Sequence, residues 1–580
     1  MDDLTKIPTE LEFLAGAQPY THGFLPLAAA YCRQLGIIEL VNRLVPSKMA
    51  ISPGIMVQSM VLDTLSGRSP LYRLEEFLEE QDIELLLGSN LTATDFNDTN
   101  IGRSLDAIFD AGASKILTEI GVNATKIFGL DPSVISYDTT STSVWGDYRV
   151  CEDQESSNAP KITYGHSKDK RPDLKQFMTE LLCVERGIPI FGKTLDGNSS
   201  DKTSNNKMLS RISAIMAKHG LGSSAFVYVA DSAMVTEDNL GELKDNRFVS
   251  RLPANYATCN NTIINAVEDD NWTELGVLSE IPGSKNRPAA EYKACENTVE
   301  LHGTSYRAVV IHSNSYDKRR QKKVDKALVN SEKQVKIELK GQINVYNCET
   351  DAKQAQKKIN CISSVFNKVI CSIVPFEANR PGRPPKSRPA STTTKYKLTW
   401  DIIPKKEEVE RARTIAGCFI LITNVPAAGE NSLDAKELLR TYKGQYGVES
   451  GFAFLKDPII VNDTFLKKPN RIDALGMILV IALIVWRLME RSLRIYVKNT
   501  GEPLPGWKNR KTDKPTAFMV AVSMFGVNVI MLRDHKRLIL KKPRKKQAAY
   551  IKALGLNESV YTNPNFKFKP IMLLQDKKKP

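Results

Sequence analysis

The alternation of apolar and polar positions divides the chain into a helical beginning and a middle richer in strands. Residues 24–120 carry apolar side chains at mixed i+3 and i+4 spacing, which is the period of an α-helix. From residue 131 onward the helical spacing of apolar residues gives way to runs of β-branched and short residues, and the run 133–141 predicts a strand. The pattern therefore predicts a helical N-terminal domain, residues 1–130, followed by an α/β region.

The rest of the chain divides by the same criteria into a core, an insertion and a basic end. Strands are predicted at 177–184, 188–195, 225–230, 248–252 and 417–423, and helices at 201–218, 432–454 and 471–497. Glu185-Arg-Gly187 is expected to turn the first two of these strands into a hairpin. Residues 257–410 show short β-type runs and polar turns, which predict a β-rich insertion. The expected domains are thus 1–130, 131–256 (core, first part), 257–410 (insertion), 411–500 (core, second part) and 501–580 (basic region).

Composition limits the class of protein. Of 580 residues, 42% are hydrophobic and 25% charged, which is ordinary globular usage. Nine cysteines without a CxxC pair argue against a disulfide scaffold or a zinc ribbon and suit a reducing cytosol. The N-terminal residues contain acids and no apolar run, unlike a signal peptide. The most apolar stretch, 474–486, is too short to span a bilayer and predicts a buried helix. We expect a soluble, cytoplasmic protein with no membrane partner.

The net charge of +14 is unevenly distributed along the chain. Residues 1–130 carry 9 Lys and Arg against 17 Asp and Glu, whereas residues 501–580 carry 18 against 5. A basic end of this size indicates a polyanionic partner, for which nucleic acid is the first candidate; a solubilising tail is the alternative. Candidate phosphate contacts are Lys541, Lys542, Arg544, Lys545 and Lys546.

Two aspartates are placed where strands could present them together. Asp138 lies in the C-terminal half of its predicted strand, and Asp231 follows the apolar run 225–230. Carboxylates at two neighbouring strands can hold divalent metal against a phosphate, and Mg²⁺ prefers such oxygen ligands. For either residue taken alone, a turn or a helix cap is the commoner role.

A third candidate set has helical spacing. At about 100° per residue, Tyr442, Gln445, Glu449 and Lys456 lie within about 60° of one another on a continuous helix. A carboxylate flanked by a phenol, an amide and an ammonium suits a metal and a phosphate. The alternative is the solvated face of an amphipathic helix.

These blocks resemble bacterial insertion-sequence transposases of the DDE type, in the insertion-sequence-4 superfamily. The helix resembles their Y-x2-R-x3-E-x6-K signature, although Gln445 stands where they usually carry Arg. Asp138-Thr-Thr and Val229-Ala-Asp231-Ser resemble their two Asp blocks. Segments 165–175, 197–198 and 514–516 are also similar, so the likeness covers about 130–520, and the acidic N-terminus resembles the leading domain of one branch.

The resemblance implies an RNase H-like core, a five-stranded mixed sheet with flanking helices, interrupted by a β-rich insertion between the second Asp and the Glu. It implies that Asp138, Asp231 and Glu449 bind two Mg²⁺ ions, with Mn²⁺ as a substitute. It also implies that Tyr442 and Lys456 grip phosphate near the cut end. Gln445 has no charge for the bidentate phosphate contact that an Arg makes.

A proline-rich basic segment adds a further DNA candidate. Arg380-Pro-Gly-Arg383-Pro-Pro-Lys386 resembles the core of an AT-hook, in which Arg side chains enter a narrow minor groove. A flexible basic linker is the alternative interpretation.

The resemblance implies cut-and-paste transposition: cleavage at the element's terminal inverted repeats frees a 3′-OH, which attacks target DNA. Two ends must be joined, so a homodimer on double-stranded DNA is expected. The alternatives are an RNase H-like, metal-dependent nuclease without strand transfer, and a DNA-binding derivative that has lost catalysis. Inverted repeats flanking the gene would distinguish the first alternative, and the three carboxylates weigh against the second.

Overall fold

The structure is a computed structural model that describes most of the chain. The described residues are 17–67, 71–88, 91–146, 148, 158–222, 225–243, 245–278, 289–314, 318–379, 392–457 and 466–573. The chain divides into two compact units, one formed by residues 1–250 with 441–580 and the other by residues 251–440. Both units contain helices and β-strands, so the fold class is mixed α/β.

Helices make up most of the N-terminal part of the first unit. Its elements are β1 Gln18–Thr21, α1 Leu25–Leu35, α2 Ile37–Leu44, α3 Pro53–Ser66, α4 Leu74–Glu79, α5 Ile83–Leu87, α6 Asp98–Ala111 and α7 Ala113–Phe128. Helix α1 ends where Gly36 adopts a left-handed φ of 67°, a conformation that glycine adopts without steric strain. These helices belong to the same compact unit as the strands that follow.

The first unit also contains five hydrogen-bonded strands. Its elements here are β2 Val134–Val144, β3 Lys175–Val184, β4 Ile188–Leu195, α8 Asp201–Lys218, β5 Val227–Ala230, α9 Glu237–Leu243 and β6 Arg247–Arg251. The strands lie in the order β4-β3-β2-β5-β6. Strand β3 is antiparallel to both of its neighbours, while β5 is parallel to both of its own. The predicted hairpin between β3 and β4 is confirmed, as is the capped helix α8, whose Ser200 side chain accepts the Thr203 N–H.

The second unit holds helices as well as strands. Its elements are α10 Ala257–Asp269, β7 Thr273–Val277, β8 Glu291–Leu301, β9 Thr304–Ser313, α11 Lys318–Lys340, β10 Val345–Tyr346, α12 Glu349–Asn360, β11 Asn367–Asn379, β12 Thr392–Pro404, α13 Lys406–Ala416 and β13 Cys418–Thr423. The segment predicted as β-rich therefore includes long helices that the prediction missed. The reason is visible in α11, where the buried Val335 and Leu339 are separated by many lysines in the sequence, so the apolar period of the helix is weak.

Three helices follow, α14 Ala435–Lys443, α15 Tyr446–Leu455 and α16 Pro469–Thr500. Among the described residues, α16 alone is long and apolar enough by length and composition to cross a membrane, with a mean hydropathy of 2.2 over its most apolar window. Within the protein, however, 83% of that window is buried, as the predicted core helix requires. Helix α16 packs against β4, α3, α6 and α7, which is consistent with a soluble protein.

The basic C-terminal region folds onto the N-terminal helices. Its elements are β14 Leu504–Pro505, β15 Lys511–Thr512, α17 Ala517–Ser523, β16 Asn528–Met531, β17 Arg537–Ile539 and α18 Lys545–Ala553. Strand β16 lies between β1 and β17, antiparallel to both. Arg537, 2% exposed, donates hydrogen bonds of 2.6 and 2.9 Å to the carboxylate of Asp82, 1% exposed. Segments near the two ends of the described chain are therefore paired with each other, by strands β1 and β16 and by the ion pair of Asp82 with Arg537.

Candidate functional site

Asp138 and Asp231 lie on neighbouring strands of the first unit. Strands β2 and β5 are parallel, and their register pairs Ser136 with Val229. Asp138 and Asp231, each two residues further along, therefore lie level with one another. Asp231 directly follows β5, and its carboxylate accepts the Ala233 N–H at 3.0 Å. The sequence prediction that two strands present these carboxylates side by side agrees with this register.

Burial dominates the electrostatics of both carboxyl groups. It raises the pKa of Asp138 to about 7, and the negative charges of Asp231 and Asp201 add to that rise. The Lys168 ammonium and the Thr139 N–H, which donates to Asp138 at 2.7 Å, lower it in part. Burial also raises the pKa of Asp231, followed in size by the effect of the Asp201 charge. Shifts of this kind cluster at functional sites.

Lys168 lies beside this pair. Its ammonium donates to the Thr139 carbonyl oxygen at 2.6 Å and to the Thr139 hydroxyl at 3.1 Å. It also lies 3.2 Å from the Asp201 carboxylate, which accepts a short hydrogen bond from the Thr139 hydroxyl. One cation is therefore held among carboxylates and hydroxyl groups at the centre of the site.

Neither Lys168 nor Asp201 is among the site residues that the sequence predicts. Lys168 lies in segment 165–175, which resembles a family segment, and Asp201 lies at the start of the predicted helix 201–218. The run Ser167-Lys168-Asp169, which follows the strand of Asp138, could have indicated that Lys168 belongs to the site. Its ion pair with Asp201 joins positions 33 residues apart, and no periodic pattern in the sequence predicts it.

The predicted continuous helix around Glu449 is interrupted. Helix α14 ends at Lys443 and α15 begins at Tyr446, so Tyr442 and Glu449 belong to different helices. A glycine contact positions α15, because a Cβ on Gly187, at φ +86°, would lie 2.2 Å from the Gly447 carbonyl oxygen. The start of α15 therefore rests directly on the β3–β4 turn, which a larger residue at position 187 would displace.

The predicted stripe is consequently split. Glu449 is exposed on α15, which packs against β2, while Gln445, at the N-cap, is only 7% exposed. Tyr442 is half-buried on α14. Lys456, at the other end of α15, donates a 2.6 Å hydrogen bond to Asp169. This ion pair connects the end of the Glu449 helix to the residue that follows Lys168.

The donor set suits a divalent metal only in part. Asp138 and Asp231 offer the oxygen ligands that Mg²⁺ prefers. Within the described ranges, however, no three His, Cys, Asp or Glu side chains lie close enough together to hold a metal ion. Glu449 is thus not gathered with the two aspartates in this structure.

The remaining DNA candidates differ in their surroundings. Lys541, Lys542, Arg544 and Lys545 are exposed, whereas Lys546 is half-buried. Arg380 and Arg383 lie outside the described residues.

Comparison with known proteins adds one match. A family profile described as a domain of unknown function, DUF4277, matches residues 20–122, which cover α1–α6 and parts of β1 and α7. No curated protein matches the chain.

Proposed function

We propose that this protein is a DDE transposase of the cut-and-paste kind, which cleaves the ends of its own element and joins them to target DNA. The observation that carries the proposal is the level placement of Asp138 and Asp231 on two parallel strands, with both carboxyl pKa values raised. The strand order β4-β3-β2-β5-β6, with parallel and antiparallel pairs and with helices between the strands, supports the RNase H-like core expected from the family resemblance.

In this proposal Asp138, Asp231 and Glu449 bind two Mg²⁺ ions, which Mn²⁺ can replace. The bound ions would stabilise the charge that develops on the reacting phosphate. Glu449 completes the set only when its helix or side chain moves toward the aspartates. The ion pair of Lys456 with Asp169 must open before Lys456 can contact phosphate.

Lys168 has a structural part in the same proposal. The Lys168 ammonium contacts Thr139 and Asp201, and these contacts keep its positive charge beside Asp138 in the metal-free protein. This charge offsets some of the repulsion among the three aspartates, so the protein can fold with its carboxylates already in place.

The wider setting follows from the same proposal. The partners are double-stranded DNA, as inverted repeats and as target, and a second copy of the chain, because two ends are joined. The protein acts in the cytoplasm on the nucleoid. An RNase H-like nuclease without strand transfer is the competing function.

The test is a cleavage and strand-transfer assay with the element's end in Mg²⁺. Asp138→Asn, Asp231→Asn and Glu449→Gln each remove a negative charge at nearly constant shape, so DNA binding should persist while cleavage falls by roughly a thousandfold or more. Glu437→Gln is the matched control, because Glu437 is exposed at the start of α14, where its carboxylate accepts the Asp434 N–H. Normal cleavage by Glu449→Gln would refute its role, and cleavage without joining would favour the nuclease.

A further inference from the structure

Three aromatic side chains of the C-terminal region are exposed. Trp507 is 47% exposed, Phe518 57% and Phe525 77%. The ring centroids of Trp507 and Phe518 lie 5.9 Å apart. Val522, 47% exposed, lies one helical turn after Phe518 on α17 and extends the same face. Contiguous exposed apolar side chains of this size indicate a binding surface.

Basic side chains border these rings. The Arg544 guanidinium donates to the carbonyl oxygen of Phe525 at 3.0 Å. The Lys546 ammonium donates to the carbonyl oxygen of Gly506, which precedes Trp507, at 3.3 Å. The segment before α18 is therefore fixed against the segments that carry the rings.

The charge of this border requires an anion. Lys541 and Lys542 are exposed, and the first turn of α18 contains Lys545 and Lys546 but no acidic residue. Cations at a helix N-terminus repel the positive end of the helix dipole, an arrangement that a bound phosphate relieves. We define the aromatic–basic surface as Trp507, Phe518, Phe525, Lys541, Lys542 and Arg544.

We propose that the aromatic–basic surface binds single-stranded DNA, with the rings stacking on unpaired bases and the cations contacting the phosphates. Exposed aromatic rings combined with a basic border are the means by which proteins hold single strands without reading sequence. A perfect duplex hides its base faces inside the stack, so it can use only the cations. The inference rests on the proposed function for the identity of the polyanion as DNA, and it adds that DNA with unpaired bases is the preferred form.

The experiment measures fluorescence anisotropy of a labelled 20-nucleotide single strand and of its duplex, with the full-length chain in EDTA. Trp507→Ala, Phe518→Ala and Phe525→Ala should each weaken single-strand binding by roughly tenfold and leave duplex binding nearly unchanged. Phe518→Leu should behave like Phe518→Ala, because leucine keeps the apolar area and lacks a ring face. Tyr72→Ala is the matched control, since Tyr72 is 53% exposed but lies in an acidic stretch.

A salt titration tests the cations separately. Lys541→Ala with Lys542→Ala should lower the slope of log affinity against log salt by roughly 0.7 for each phosphate contact that is lost on the single strand. Lys115→Ala, at an exposed position of the acidic N-terminal region, should leave that slope unchanged.

Several results would overturn the inference. Unchanged single-strand affinity in the alanine variants would do so, as would full affinity in Phe518→Leu, which would indicate apolar contact without stacking. Ring-dependent binding to phosphatidylserine vesicles, or a dimer in sedimentation that Phe525→Ala dissociates, would assign the surface to a lipid or to a second copy. Failure of the proposed function is distinguishable: a wild type that never cleaves but still needs its rings for single-strand binding would retain this inference and lose the transposase.

Discussion

Replacing Asp138 by asparagine should stabilise the metal-free protein at neutral pH. Burial raises the pKa of Asp138 from 3.8 to about 7, so its protonated form suits the folded state best. The associated stability is complete below pH about 4, falls as the pH rises toward 7, and stays lost above it. A shift of about 3 units corresponds to about 4 kcal/mol. Asparagine does not ionise, so the variant should avoid this loss.

The assay is urea unfolding of the wild type and Asp138→Asn in EDTA between pH 4.5 and 8.5, with the first transition compared. The difference should be about 1 kcal/mol at pH 4.5 and approach about 4 kcal/mol above pH 7. Asp106→Asn is a control of opposite sign, because the Arg471 hydrogen bond lowers the pKa of Asp106 and that variant should lose stability at neutral pH. Parallel pH profiles for the wild type and Asp138→Asn would refute the reasoning.

Three further predictions concern other parts of the chain. Lys168→Met removes the ammonium that lowers the pKa of the first aspartate, so the pH at which cleavage reaches half its maximum should rise, while Lys168→Arg should keep it; a rate profile in Mg²⁺ measures this. Arg537→Ala leaves Asp82 buried without its cation, which should cost about 3 to 5 kcal/mol in urea unfolding, and Arg537→Lys should cost less. Replacing Arg380 and Arg383 by Ala should weaken binding to A·T-rich duplex more than to G·C-rich duplex; equal losses would reduce the segment to a basic linker.

Local chemistry explains which parts of the fold could be predicted. The turn at Glu185-Arg-Gly187 follows from a glycine that now shows φ +86° and from two flanking apolar runs. Asp231 was predicted at the end of a strand because the run before it is apolar and short. Both predictions depend on fewer than twenty consecutive residues, within which the sequence pattern is decisive.

Contacts between distant segments explain what could not be predicted. The ion pair between Lys168 and Asp201 depends on how a loop folds back over β2, and no period in the sequence reports it. The start of α15 lies against Gly187 through Gly447, a contact between positions 260 residues apart that no local pattern reports. The azimuths that grouped Tyr442 with Glu449 assumed an unbroken helix, and this assumption was wrong.

The pairing of β1 with β16 has a consequence for how the protein is made. The Thr21 hydroxyl donates to the Asn528 side chain across 507 positions, so the strand that pairs with β1 is translated long after β1 itself. Contacts this far apart in sequence form slowly. Until residues 528–539 have been translated, the N-terminal helices lack strands β16 and β17, and Asp82 lacks the guanidinium of Arg537. We expect a chain that stops before residue 528 to be degraded rather than to accumulate.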